Sequence, residues 1–366
     1  MKPLLNTSVP FFSRRSMAAA SIEKNIYFFG GVGAGGTESI LDVSADLWSF
    51  DTGVLAWQAI IQKSLWPSSR RCVGWSAFKK ELLLWGGSGI AIEANGASRY
   101  NFLNDFWRFN RQSSSWELLR GSEDHRITPN INDGVFPFPR YTPVFQAVGD
   151  ELFLFGGYTE DRLGKRKLND AWICSDGKWQ QVPFSGRQGY LCDAAWPGLR
   201  YGCMSAADSR NVYICGGFSD EGDHIDLWKF DMTVRRWELL SPDMTTQDLP
   251  SPRYCSAFAL HGRRLYLFGG RSRQHPKLNF NDLWFFDLDA RKWSMISGSH
   301  TPHEYDAAAD FPGYHAKSSS AVVEDCWYIL GGEGLHGHVS DFWRFDFVQQ
   351  AWQLIQAARG DDPKFW

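Results

Sequence analysis

The stretch RYCSAFALHGRRLYLFGG at residues 253–270, followed by Asp282-Leu283-Trp284-Phe285-Phe286-Asp287 and then Trp293, decides the fold. Read outward from Arg253, it holds four short extended segments. Strand a follows the Arg253-Tyr254 pair. Strand b, Leu265-Tyr266-Leu267-Phe268, runs apolar on both faces into Gly269-Gly270, as expected of a strand buried on both sides. Strand c alternates, with Trp284 and Phe286 on one face and Leu283 and Phe285 on the other, and strand d carries Trp293.

The same order recurs along the chain. Double glycines stand at 30–31, 86–87, 156–157, 216–217, 269–270 and 331–332. Each precedes an Asp-x-Trp whose Asp is 46, 105, 170, 226, 282 or 341. A second Trp follows at 57, 116, 179, 237, 293 and 352, at spacings of 59, 63, 58, 56 and 59. Twelve of the 18 Trp lie in these two columns, and a fixed period of this length marks stacked repeats. Glycine pairs suit crowded backbones or positive φ, and bulky Trp can fill the space between splayed sheets.

The bulk properties narrow the classes. A chain of 366 residues, 43% hydrophobic and 22% charged, can bury a sizeable core. A net charge of −3 argues against nucleic acid as a partner, since such surfaces are visibly basic. No apolar run approaches the roughly 18 residues of a membrane helix, so no membrane partner is expected. Asn6, Thr7, Ser8 and Pro10 interrupt any signal-like apolar region. The seven cysteines, with no CxxC, read as reduced thiols. The expectation is a cytoplasmic protein.

Six copies in register make the chain similar to the kelch family over about residues 13–355. The resemblance implies an all-β, six-bladed kelch-type β-propeller with four antiparallel strands per blade and one repeat per blade. The repeats fall at about 13–61, 68–119, 139–182, 198–240, 252–296 and 312–355, followed by a tail at 356–366. Pro3-Leu4-Leu5-Asn6 lies in register with Ala59-Ile60-Ile61-Gln62, so segment 1–12 is expected to add to the last blade and close the ring. Kelch propellers serve mostly as protein-binding modules and occasionally as enzymes.

In such a blade the b–c and d–a connections share one face. The a–b turns are short, while 32–45, 88–104, 120–139, 158–169, 181–199, 271–281 and 297–312 read as long irregular segments on that face, where function is expected. Arg14, Arg70, Arg140, Arg200 and Arg253 open strand a there, followed by Arg15, Arg71, Tyr141, Tyr201 and Tyr254. In kelch propellers strand a is innermost, so the resemblance places these residues at an Arg/Tyr-rimmed channel mouth. Such a rim would take a protein segment or a small anionic or aromatic ligand. The alternative is that each Arg pairs with the Asp opening strand c of its own repeat. Trp66 and Trp196, outside the two Trp columns, are candidate walls of an apolar pocket or shields of the loops.

Repeat six departs from the rest. Gly313 is aligned with the opening Arg, followed by Tyr314 and His315, with Cys72 and Cys255 in the His315 column. Asp306, Asp310, His336 and His338 lie nearby in sequence. With His315 they are candidate ligands for a divalent metal, Fe or Zn. His315 and Asp310 are also candidate catalytic groups. Asp306-x3-Asp310-x4-His315 is similar to the Glu-x3-Asp-x3-His iron motif of plant kelch specifier proteins, differing in its first residue and second spacing. The alternative is a solvated acidic loop. Two functions follow: a ligand- or protein-binding module, or an enzyme at the same mouth, metal-assisted, acting on a small aromatic or apolar substrate.

Overall fold

The computed structural model describes residues 4–5, 13–33, 42–63, 65–92, 96, 98–121, 136–161, 164–183, 196–242, 249–274, 279–298, 311–334 and 337–357. They form six four-stranded antiparallel sheets, the blades of a six-bladed β-propeller, with no helix among the described residues. In every blade the strands a, b, c and d neighbour one another in chain order. Strand a is Ala18–Ile22, Gly74–Phe78, Val144–Val148, Met204–Ala207, Ala257–His261 and Ser319–Val323 in blades one to six. Strand d is Ala56–Ile60, Ser115–Arg120, Lys178–Gln181, Arg236–Ser241, Lys292–Ser297 and Ala351–Gln356.

Two connections are built from local chemistry. In the a–b turn of blade two, Lys79 and Lys80 both take positive φ, the backbone that suits a two-residue hairpin to strand twist. At the c–d turns, Asp51, Asp231, Asp287 and Asp346 each accept two backbone N–H bonds from the residues two and three positions on. Those carboxylates fix the turn.

The chain divides into two compact units, residues 1–62 with 245–366 and residues 63–244. The first holds blades five, six and one; the second holds blades two, three and four. Within each unit, neighbouring blades share an apolar core. Phe28, Phe50, Tyr328 and Phe342 join blades one and six, Phe268, Ile329 and Trp352 join five and six, and Phe153, Ile214 and Phe230 join three and four. In the first unit Leu4 and Leu5 donate backbone hydrogen bonds to Leu354 and Ile355 at 3.0 and 2.8 Å, so Leu5 lies parallel to the outer strand of blade six.

The double glycines are the seam between blades. Both residues of each pair have positive φ, and strand b bulges there, as between Phe155 and Gly157. The second glycine donates to the carbonyl of the residue opening the next blade's strand a: Gly87 to Arg140 at 3.0 Å, Gly157 to Arg200 at 3.0 Å, and Gly270 to His315 at 2.6 Å. A Cβ on Gly157 would sit 2.9 Å from the Tyr141 carbonyl, so a side chain is sterically barred there.

Two segments differ from expectation. Residues 88–104 and 158–169 are mostly hairpin: Glu81–Ile92 pairs with Ser98–Asn110, and Glu151–Asp161 with Gly164–Ser175. The cross-strand ladder continues past the bulge because polar and ring side chains alternate there, as in Arg99-Tyr100-Asn101-Phe102.

Candidate functional site

The arginines opening strand a are knots inside their blades. Arg70, Arg140, Arg200 and Arg253 are at most 1% exposed. Arg70 donates to both oxygens of Asp105 at 2.6 and 2.8 Å, Arg140 to Asp170 at 2.5 and 2.7 Å, and Arg253 to Asp282 at 2.5 and 2.9 Å; Arg200 reaches Asp226 at 2.6 Å. Each also donates to the carbonyl of its repeat's first glycine. The Trp of Asp-x-Trp completes the knot, its indole N–H donating to the same carboxylate at 2.6–2.7 Å in blades two to five. Burial pushes the Asp170 carboxyl up, but the charge and hydrogen bonds of Arg140 and the Trp172 indole outweigh it and hold it below the usual range. These four arginines therefore do not rim a ligand site: the ion pair within the repeat has taken them. Arg14 pairs with Asp46 at 2.6 Å, and that carboxylate is half exposed.

Repeat six is aligned two residues away from the expected register. His315, not Gly313, occupies the arginine position. Its Nδ1 lies 3.0 Å from the Gly331 carbonyl, sixteen residues on, the same separation as Arg70 to Gly86. Its Nε2 faces Asp341 at 3.4 Å, and Trp343 donates to that carboxylate at 2.8 Å. Asp341 thus has partners from its own repeat, and His315, 2% exposed, is built into the blade with both ring nitrogens engaged. Cys72 and Cys255 align with Lys317, all three at φ of 53–54°. The sequence carried a signal for this register. A bulky residue and a proline precede the knot by four and three positions in Trp66-Pro67, Phe136-Pro137, Trp196-Pro197, Leu249-Pro250 and Phe311-Pro312.

That same column settles Trp66 and Trp196. Trp66 is buried against Trp116 with ring centroids 6.1 Å apart. Trp196 is buried against Trp237 at 6.1 Å and donates its indole N–H to the Asn169 carbonyl at 2.8 Å. They shield the strand d tryptophans. Tyr314 is buried one position before the knot.

Asp306, Asp310 and His336 lie outside the described residues. Among the described residues, no three His, Cys, Asp or Glu side chains gather closely enough to hold a metal ion. His338 pairs with Glu333 across the b–c hairpin of blade six. Burial, then the nearby Arg15 charge, pulls its pKa down to about 4.

The differences between blades concentrate in two positions that pair with each other inside each blade, beside the seam: the residue after the knot and the residue after the double glycine. The pairs are Arg15 with Val32, Arg71 with Ser88, Tyr141 with Tyr158, Tyr201 with Phe218, Tyr254 with Arg271, and Ala316 with Glu333. In the first unit each pair carries one charged residue, Arg15, Arg271 or Glu333. Glu333 accepts from Arg15 at 2.9 Å, Lys317 at 2.7 Å and Arg271 at 2.7 Å, and all four side chains remain 16–25% exposed. Burial alone would raise the Glu333 pKa, but the three cations bring it down to about 2. In the second unit two of the three pairs are aromatic on both sides, and the third is Arg71 with Ser88. Tyr141 stacks on Phe102 at 5.2 Å and meets Tyr158 and Tyr201 at 5.4 and 5.9 Å; Tyr201 meets Phe218 at 5.6 Å. Burial raises the Tyr141 pKa above its ordinary value, so its hydroxyl is a neutral donor. Arg71 caps this surface, its guanidinium 4.2 Å from the Tyr100 ring centre.

Comparison with known proteins agrees with the blade architecture. The KLHDC2/KLHL20/DRC7 Kelch-repeats domain model matches residues 146–364, more than half of the chain. The chain belongs to the kelch-repeat family. It is 24% identical over 303 residues to human Kelch domain-containing protein 10, covering 81% of this chain and 62% of that protein. Mouse Kelch domain-containing protein 1 is 22% identical over 306 residues, 78% of this chain and 68% of that protein. A Drosophila melanogaster leucine-zipper-like transcriptional regulator 1 homolog is 26% identical over 258 residues, 69% of this chain and 23% of that protein. The chain thus spans about three fifths of the Kelch domain-containing protein 10 sequence that it matches.

Proposed function

We propose that this kelch propeller is a protein-binding module that takes acidic segments on the seam positions of blades five, six and one. The observation that carries this reading is the split in side-chain chemistry at positions whose backbone is the same in every blade. Where the fold needs a cation it buries one Arg against one Asp. At the seam of the first unit it instead keeps Arg15, Arg271 and Lys317 within reach of water around a single carboxylate. Positive charge held in place within reach of water favours carboxylate-bearing ligands. The aromatic seam of the second unit supports contact with apolar or ring side chains, because Tyr offers large contact area at low conformational cost.

The test is binding of a fluorescein-labelled deca-glutamate peptide to the wild type and to Arg15→Ala/Arg271→Ala, with the exposed Arg263→Ala as a control. The double variant is expected to lose at least tenfold in affinity and most of its salt dependence, with Arg263→Ala unchanged. Equal affinity in all three proteins would remove the reading.

A further inference from the structure

Glu333 is the acidic member of the six residues that follow the double glycines, and its backbone is pinned. Its N–H donates to the Ala316 carbonyl at 2.7 Å, and its carbonyl accepts from the Ala316 N–H at 2.9 Å. Only its side chain is free to move. The carboxylate lies where three blades deliver cations: Arg15 from blade one, Arg271 from blade five and Lys317 from blade six, with Arg15 and Lys317 on one oxygen and Arg271 on the other. The buried knots satisfy one carboxylate with one guanidinium, whereas this carboxylate receives three positive charges. Donor capacity also remains, since Arg15 Nε is buried and has no partner among the described residues.

We infer that Glu333 is a built-in competitor for the acidic ligand of this cradle. The chain's own carboxylate holds Arg15, Arg271 and Lys317 in a carboxylate-binding arrangement, and an acidic side chain of a bound segment displaces it as Glu333 rotates outward. Exchanging one carboxylate for another gains little. A segment with one acidic residue therefore binds weakly, and one with two adjacent acidic residues can give Arg15 and Lys317, which share one oxygen of Glu333, separate carboxylates. Glu333 sets that threshold. This inference rests on the acidic-segment reading above.

The experiment measures fluorescence anisotropy with labelled deca-glutamate and with a Gly/Ser decapeptide carrying a single Glu, on wild type, Glu333→Gln and Glu333→Asp. Glu333→Gln keeps the shape and removes the charge. It should bind deca-glutamate at least tenfold tighter and bring the single-Glu peptide into a measurable range. Glu333→Asp keeps the charge that the cations require for folding and withdraws it by one methylene, so it should show a smaller gain of about threefold. Wild-type binding of deca-glutamate with equal or weaker binding by both variants would show that Glu333 organises the cations and does not compete. That result overturns this inference and leaves the acidic-segment reading standing. Failure of deca-glutamate to bind wild type and variants alike would overturn both.

Discussion

Arg253 and Asp282, both fully buried, show how a charged pair serves the fold. The guanidinium is satisfied by the carboxylate, the Gly269 carbonyl and the Ser251 carbonyl at 2.5–3.0 Å. Arg253→Met removes the partner and leaves a buried carboxylate, so stability should fall by about 3–5 kcal/mol, read as a lower urea midpoint. His338 makes a second prediction. Its pKa falls from an ordinary 6.5 to about 4 on folding, so between those values the unfolded chain binds a proton that the folded one does not. Stability should therefore drop as pH falls from 6.5 towards 4, by about 1–3 kcal/mol. His338→Gln should flatten that part of the curve. Glu333 acts in a lower window: its depressed pKa gives stability that is fully present above about 4.5 and lost as pH falls through about 2.

Strand b crosses close to the start of strand a at the double glycine, and substitution there makes this measurable. Gly157 has φ of +99° with the Tyr141 carbonyl of its own blade where a Cβ would go, while Gly149 has φ of +59° with open space around it. Gly157→Ala should cost about 1–3 kcal/mol or more, and Gly149→Ala about 1 kcal/mol. Equal effects in chemical denaturation would show that the seam is not sterically closed. The strand d tryptophans are the other support. Trp293, 3% exposed against Phe286 at 5.3 Å, should cost about 3–5 kcal/mol on replacement by Ala. An unchanged denaturation midpoint would place it outside the core.

At the scale of the molecule, one compact unit is assembled from both ends of the sequence, residues 1–62 with 245–366. Blades six and one share Phe28, Phe50, Tyr328 and Phe342, and Trp57 donates to the Gln356 side chain at 2.6 Å. Deleting residues 1–62 would expose the apolar face of blade six. The truncated protein should be recovered as aggregate, since large exposed apolar patches associate. A monomeric, cooperatively melting truncation would contradict this. A net charge of −3 for the whole chain also hides the three cations gathered on Glu333 in the first unit, so bulk charge says little about the kind of ligand.

The sequence by itself determined the blade count, the strand order and the two Trp columns. Those follow from periodic apolar runs, paired glycines and Asp-x-Trp, whose causes are local or repeat every blade. It also offered both readings of the strand a arginines without choosing. The choice required knowing that the guanidiniums of Arg70, Arg140, Arg200 and Arg253 lie within 3 Å of their Asp partners and out of water, a contact across 26–35 residues of chain. The register of repeat six was legible in Phe311-Pro312 but was obscured by aligning Tyr314 with Tyr141, Tyr201 and Tyr254. Only the fold showed that His315 replaces an arginine, and only the fold brought Arg15, Arg271, Lys317 and Glu333 together. Those four come from three repeats, and which side chains meet across a seam is fixed by how blades pack, a distance that no spacing along the chain records.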